Sequence, residues 1–294
     1  MQHRQQQRQA RAQALDYPGV VLMGSGLTGL MVALTRIGQG ARLDDPLGGG
    51  LLLGGAALLV VFWRRQFTVA GPIMAPDLLR NRVVLWGCLA SALLFFAMIG
   101  GAVMLPLALQ AVAGNPPDQV ALKMLMHALA VPCGAFFSGR MMPRTMRFRR
   151  NMVAGAVLAC LCASALAWLR FDSPVAVGAA MLGMGLGIGI ALPPGVVAVQ
   201  VAVAHARIGA VTALLGLARS LGSAMGLAVL TSVLFSTIGV AGGSSAAMLV
   251  KRIGPADLTL VRGFTMVFVC VAVALAGSAL AAMRLPAQPH RPAG

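Results

Sequence analysis

The sequence predicts an all-α integral membrane protein with eight transmembrane helices. Three observations carry that prediction. First, apolar residues make up 59% of the 294-residue chain and charged residues only 10%, with a mean hydropathy of +0.85. A soluble domain carries about 25% charge, so this composition builds no solvated surface and the bilayer must be the solvent. Second, eight segments are apolar over the roughly 17–25 residues needed to span hydrocarbon: 17–37, 47–63, 83–112, 119–138, 151–169, 175–203, 210–238 and 263–283. Third, the 23 basic residues divide between alternate gaps: fifteen on the side of Arg4, Arg64, Arg82, Arg149 and Arg284, six on the side of Arg36, Arg170 and Arg262, and Lys123 and Arg219 inside spans. The positive-inside rule then places both termini in the cytoplasm, as an even number of spans requires. The net charge of +16 is therefore topological. No aromatic platform is interleaved with the arginines, which argues against a nucleic-acid partner. The preponderance of arginine over lysine, with abundant Ala and Gly, points to a GC-rich bacterial genome and hence to a bacterial inner membrane.

The first span follows a polar, basic lead-in, MQHRQQQRQARAQAL, with no small-residue cleavage site behind it, so the segment reads as cytoplasmic and not as a signal peptide. ARLDDP (41–46), GNPPDQ (114–119) and RFDSP (170–174) are short external turns rich in Asp, Pro and Asn. Residues 64–82, RRQFTVAGPIMAPDLLRNR, form a cytoplasmic link, and residues 239–262 form the longest external loop, with a short surface helix expected around MLVKRI. The third and sixth spans run long and contain Pro106 and the pair Pro193 and Pro194, which predicts a tilt or bend in each. Cys88, Cys133, Cys160, Cys162 and Cys270 all fall within apolar runs, without metal or disulfide spacing. They read as small core residues, and no cofactor is expected. No nucleophile, base and orienting acid occur together, so no enzyme is predicted.

The acidic residues are the most informative negative. The chain has no glutamate, and its seven aspartates (Asp16, Asp44, Asp45, Asp77, Asp118, Asp172 and Asp257) each sit in a gap or at a span edge. Proton-driven carriers place a carboxylate inside the membrane, where low dielectric raises its pKa toward the working range. None is expected there in this chain.

Residues 183–194 read GMGLGIGIALPP. Gly183 and Gly187, and Gly185 and Gly189, are small-xxx-small pairs that let helices approach closely. The GxGxGxG spacing inside a membrane run, with no preceding strand, excludes a dinucleotide loop. Pro193 and Pro194 remove two backbone donors near the inner end. This span reads either as a hinge for rocking between access states or as static close packing.

Arg219 lies about nine residues, roughly 13 Å, into the seventh span. A central arginine costs roughly 2.5–3.5 kcal/mol on insertion scales. Gly222 and Gly226 follow on the same face, which is expected to meet another helix or a cavity. Arg219 then either reaches the transport pathway or snorkels toward the inner surface. Lys123 and His127 share a face of the fourth span at i, i+4; His127 reads as a proton relay or as a packed neutral imidazole. Gln110, at the outer end of the third span, either hydrogen-bonds a solute or bonds backbone freed by Pro106. Gln200 has the same two readings.

LDYPG (15–19), DLLRNR (77–82), LPLALQAVAG (105–114), SGR (138–140), GMGLGIGIALPP and IGAVTALLGLARSLGSAMG (208–226) are weak motifs singly. In this order and spacing they resemble the C-terminal portion of a major facilitator superfamily transporter, specifically the fourteen-span drug:proton antiporter family of multidrug exporters, over about residues 15–285. The resemblance divides the chain into a basic lead-in (1–16), two central linker spans (17–63), a cytoplasmic link (64–82), a six-span C-terminal half (83–285) and a tail (286–294). It implies proton-coupled export of an amphipathic small molecule by alternating access, with this half forming one wall of a midplane cavity. Trp86, Phe95, Phe96, Met98 and Met104 would touch the solute, and Gln110 and Arg219 stand where the family has a glutamine and an arginine. Gly139, Arg140 and Arg144 in GRMMPRTMRFRR fall on the superfamily's tight, basic cytoplasmic turn, with Pro143 in its acidic position. The other reading of this stretch is a topology anchor. The family's first six spans and coupling carboxylates have no counterpart. The chain is thus expected to be a truncated or split half-carrier, inactive alone, whose partners in a complete carrier would be protons, the solute, membrane lipid and a chain supplying the missing half. The alternative is a non-transporting assembly or regulatory subunit.

Overall fold

A computed structural model describes residues 17–38, 46–66, 68, 77–145, 148–169, 173–238 and 258–286. Among them all regular structure is helical. The long helices are α1 (Tyr17–Gly38), α2 (Pro46–Gln66), α3 (Arg82–Ala111), α4 (Pro117–Thr145), α5 (Phe148–Trp168), α6 (Pro174–Val201), α7 (Ile208–Ile238) and α8 (Leu258–Met283). Seven, α2 to α8, are long and apolar enough to cross a membrane; in α1 the described apolar stretch, Tyr17–Ala33, is shorter. The prediction of eight spans is met to that extent.

The helix ends follow local chemistry. Asn81 caps α3, its Oδ1 accepting from the Val83 amide at 2.9 Å. Its Nδ2 donates to the Ala202 carbonyl at 3.1 Å, tying the start of α3 to the end of α6. Gly114, with φ of +61°, turns the chain between α3 and α4, in a left-handed conformation that glycine adopts without steric cost. Pro174 opens α6 at a position whose N–H has no helical partner. Pro106, Pro193 and Pro194 all lie within continuous helices, and α6 runs on to Val201.

One difference concerns the basic stretch. A tight turn was expected from residue 139 onward, yet α4 continues through Gly139 and Arg140 to Thr145, and α5 resumes at Phe148. Methionine and arginine are good helix formers, so the helix outlasts its apolar run. The surface helix expected around MLVKRI and the turns at 41–45 and 170–172 lie outside the described residues.

Six helices pack as one bundle in the spatial order α4, α6, α5, α8, α3, α7, with α3 also reaching α6. Its core is built from residues such as Leu94, Met104, Leu105, Leu109, Met184, Ile188, Phe264 and Phe268, all nearly or fully buried. Helix α1 pairs with α2 and leans on α7. A second apolar cluster, Phe62, Leu78, Val84, Cys88, Val199, Val211, Leu214 and Leu215, fastens the end of α2 to the bundle. Leu122, Leu125, Met126, Leu129, Phe136 and Phe137 remain exposed along α4. In water such a stripe would drive association; in hydrocarbon it is an ordinary outer face.

Candidate transport pathway

The glycines of α6 sort by register. A Cβ on Gly185 would meet the His127 carbonyl oxygen at 2.7 Å and Ala130 Cβ at 2.9 Å, and one on Gly189 would strike the Val131 carbonyl, so this pair faces α4. A Cβ on Gly187 would meet the Ala159 nitrogen at 2.6 Å and the Gly155 oxygen at 2.7 Å, and one on Gly183 would meet Cys162 Sγ at 2.5 Å; this pair faces α5. Residues two apart on a helix point about 200° apart, so the alternating pattern lets α6 slot between two neighbours at backbone contact. Side-chain hydrogen bonds bracket the α4 seam. His127 Nδ1–H donates to the Met181 carbonyl at 2.7 Å, and Ser138 Oγ donates to the Ile190 carbonyl at 2.8 Å. Of Pro193 and Pro194, the second is buried and the first partly exposed.

The α7 glycines do the same for α3. A Cβ on Gly222 would strike the Ala92 carbonyl, and one on Gly226 the Phe96 carbonyl. The face expected to meet a helix does so, and it carries Arg219 into the α3–α7 seam. The Arg219 guanidinium lies over the Phe95 ring, with Cζ 4.9 Å from the centroid. Its Nε and Nη2 are buried and have no hydrogen-bond partner among the described residues.

The remaining predicted residues separate. His127 is 4% exposed and held in the α4–α6 seam, away from Arg219 in the α3–α7 seam. Lys123, one turn before it, is half-buried. Gln110 is exposed, and its amide bonds no backbone freed by Pro106, so that structural reading is withdrawn. Gln200 Nε2 donates to Thr212 Oγ1 at 3.1 Å, joining α6 to α7. Met104 is 1% exposed and belongs to the core, which removes it from the solute contacts. Phe96 packs at Gly226, and the Trp86 ring receives Arg284, whose Cζ lies 5.4 Å from the centroid. Arg140 is exposed, a Cβ on Gly139 would meet nothing within 4 Å, and the Arg144 side chain lies outside the described residues. Asp118 is exposed in the first turn of α4.

Sequence reading missed the fasteners Ser138, Ser278, whose Oγ donates to the Ala90 carbonyl at 2.8 Å, and Cys160, whose Sγ reaches the Ala272 carbonyl at 3.3 Å. Ser278 and Cys160 carry no motif, and Ser138 entered only as the first residue of SGR. Only the polar atom inside an apolar span hinted at them.

A family model described as Major Facilitator Superfamily matches residues 46–227. The chain belongs to this superfamily. That is a family of membrane transporters and not of enzymes. The chain is 29% identical over 232 residues to the puromycin resistance protein pur8 of Streptomyces alboniger, covering 77% of this chain and 45% of that protein. It is 32% identical over 231 residues to the cephamycin export protein CmcT of Amycolatopsis lactamdurans, covering 74% and 46%. The superfamily member thus spans about half the length of the curated relatives it matches. Among solved structures it resembles a bacterial homolog of the human lysosomal transporter Spinster, crystallised inward-facing and unoccupied. The TM-score is 0.52 at 14% identity, over 84% of this chain and 61% of that one, a likeness of fold.

Proposed function

We propose that this chain is the C-terminal half of a proton-coupled exporter of amphipathic small molecules, of the fourteen-span drug:proton antiporter type. In this reading α1 and α2 are the linker spans, α3–α8 are the six-span half, and both termini face the cytoplasm of a bacterial inner membrane. The observation that carries it is one self-contained six-helix bundle with a helix pair fastened to its side, in a chain about half as long as relatives named for drug resistance and export.

The mechanism follows from the packing. Helices α4, α6 and α5 touch through glycine backbones and move as a unit, so alternating access is rigid rocking of this half against its counterpart. The seam holding Arg219 and Phe95 lines the shared cavity. No aspartate lies inside the apolar body of α1–α8, so the carboxylate that loads and releases the proton belongs to the opposing half.

Vesicles containing only this polypeptide, given a proton gradient, are expected to retain a loaded amphipathic dye at the rate of empty vesicles. Co-reconstitution with the portion of the cephamycin export relative that this chain does not match is expected to start gradient-dependent efflux. Robust efflux from the chain alone would overturn the half-carrier reading.

A further inference from the structure

We propose that Arg219 and Phe95 form an anion site near mid-membrane depth that takes the carboxylate of an amphipathic solute. The inference rests on the transport reading and narrows its substrate class.

Depth comes first. Arg219 is the twelfth residue of the 31-residue α7, and Phe95 the fourteenth of the 30-residue α3. At 1.5 Å per residue they lie about 17 and 20 Å from the inner ends of helices about 45 Å long. The guanidinium is held there. Gly222 and Gly226 bring α7 onto the α3 backbone at Ala92 and Phe96, so the side chain between the two helices enters their seam.

Donor chemistry comes second. The ring of Phe95 stabilises the positive charge through its π face, but a stacked ring accepts none of the in-plane N–H bonds. Nε and Nη2, the two buried nitrogens without a partner, form one edge of the guanidinium. That edge presents two parallel N–H donors, the fork that a carboxylate fills with both its oxygens.

Among the described residues no carboxylate fills that fork. The chain has no glutamate, and its aspartates lie outside α1–α8 except for Asp118, exposed in the first turn of α4. The hydroxyl of Ser223, one turn on, donates to the Arg219 carbonyl at 2.9 Å and makes no bond to the guanidinium edge. A buried fork, an aromatic wall and no counter-ion among the described residues describe a receptor for a solute with an apolar body and one carboxylate. The solute's acid head pairs with Arg219 while its body lies along the Phe95 side of α3.

The test uses the whole chain in nanodiscs of zwitterionic lipid, with empty nanodiscs subtracted. The probes are 4-phenylbutyrate and its neutral counterpart 4-phenylbutanol, their binding read by quenching of tryptophan fluorescence. The wild type is expected to prefer the carboxylate by about 10- to 100-fold, the range for charge-assisted hydrogen bonds. Arg219→Gln should abolish that preference and leave alcohol binding unchanged. Arg219→Lys, which keeps the charge and loses the fork, should retain only part of it, and serves if the glutamine variant does not fold. Phe95→Leu should weaken both probes. Equal binding of the two probes by the wild type, or an unchanged preference in either Arg219 variant, overturns this inference and leaves the transport reading standing. Binding of neither probe overturns both.

Discussion

Replacing Gly189 by alanine sets two opposed effects against each other at the α4–α6 crossing. Alanine is a better helix former than glycine by about 1 kcal/mol. Its methyl group, however, would strike the Val131 carbonyl oxygen and lie 2.9 Å from the Val131 carbonyl carbon and 3.0 Å from the Ala135 nitrogen. Comfortable carbon contacts are about 3.5–4.0 Å, and these neighbours are backbone, so α4 must retreat by roughly 1 Å. Such overpacking costs about 1–3 kcal/mol. The retreat also stretches the bonds from His127 to the Met181 carbonyl (2.7 Å) and from Ser138 to the Ile190 carbonyl (2.8 Å). Each contributes about 0.5–1.5 kcal/mol when intact. The net effect is a loss of about 1–3 kcal/mol. At about 2–4 °C per kcal/mol for a chain of this order of size, the unfolding midpoint in nanodiscs should fall by about 2–12 °C. Gly178→Ala, on the same helix with nothing within 4 Å of the new methyl, keeps only the propensity gain and should be neutral or stabilising. Midpoints are read from tryptophan fluorescence or helical circular dichroism. If both variants rise together, the register assigned to the glycines is wrong.

Two further outcomes follow. His127→Leu removes the bond to Met181 and should lower stability by about 0.5–1.5 kcal/mol without changing proton-coupled efflux in a complemented carrier; lost efflux at unchanged stability would instead mark His127 as a relay. In a cysteine-free background, Ser173→Cys should react with an impermeant maleimide from outside the cell and Ala204→Cys only after permeabilisation, since both are exposed at opposite ends of α6. The reverse pattern would invert the assigned orientation.

Helix positions were legible because apolar length is a local quantity. The third span, predicted at 83–112, is α3 at Arg82–Ala111, and the sixth, predicted at 175–203, is α6 at Pro174–Val201. Less legible was where a helix stops in polar sequence: α4 runs to Thr145 through the stretch expected to turn, Gly139 and Pro143 included. The site was legible in part. The shared face of Arg219, Gly222 and Gly226 was predicted from spacing and packs as expected on α3, but the Phe95 ring as the arginine's neighbour was not. Met104 shows the opposite failure: a residue type suited to solute contact says nothing about whether its side chain faces a cavity or the core.

The sequence by itself determined the solvent, the helical class and the approximate ends of the helices, together with the absence of an internal carboxylate. Those properties follow from composition and run length, which act one segment at a time. Tertiary structure alone decided which glycine meets which helix, which serines and cysteines clasp neighbours, and that the Arg219 fork has no acceptor among the described residues. Those outcomes depend on contacts such as Ser278 with Ala90 and Asn81 with Ala202, between residues 188 and 121 positions apart. No local pattern encodes a partner at that distance, because van der Waals packing between apolar helices is nondirectional until the backbones are brought together.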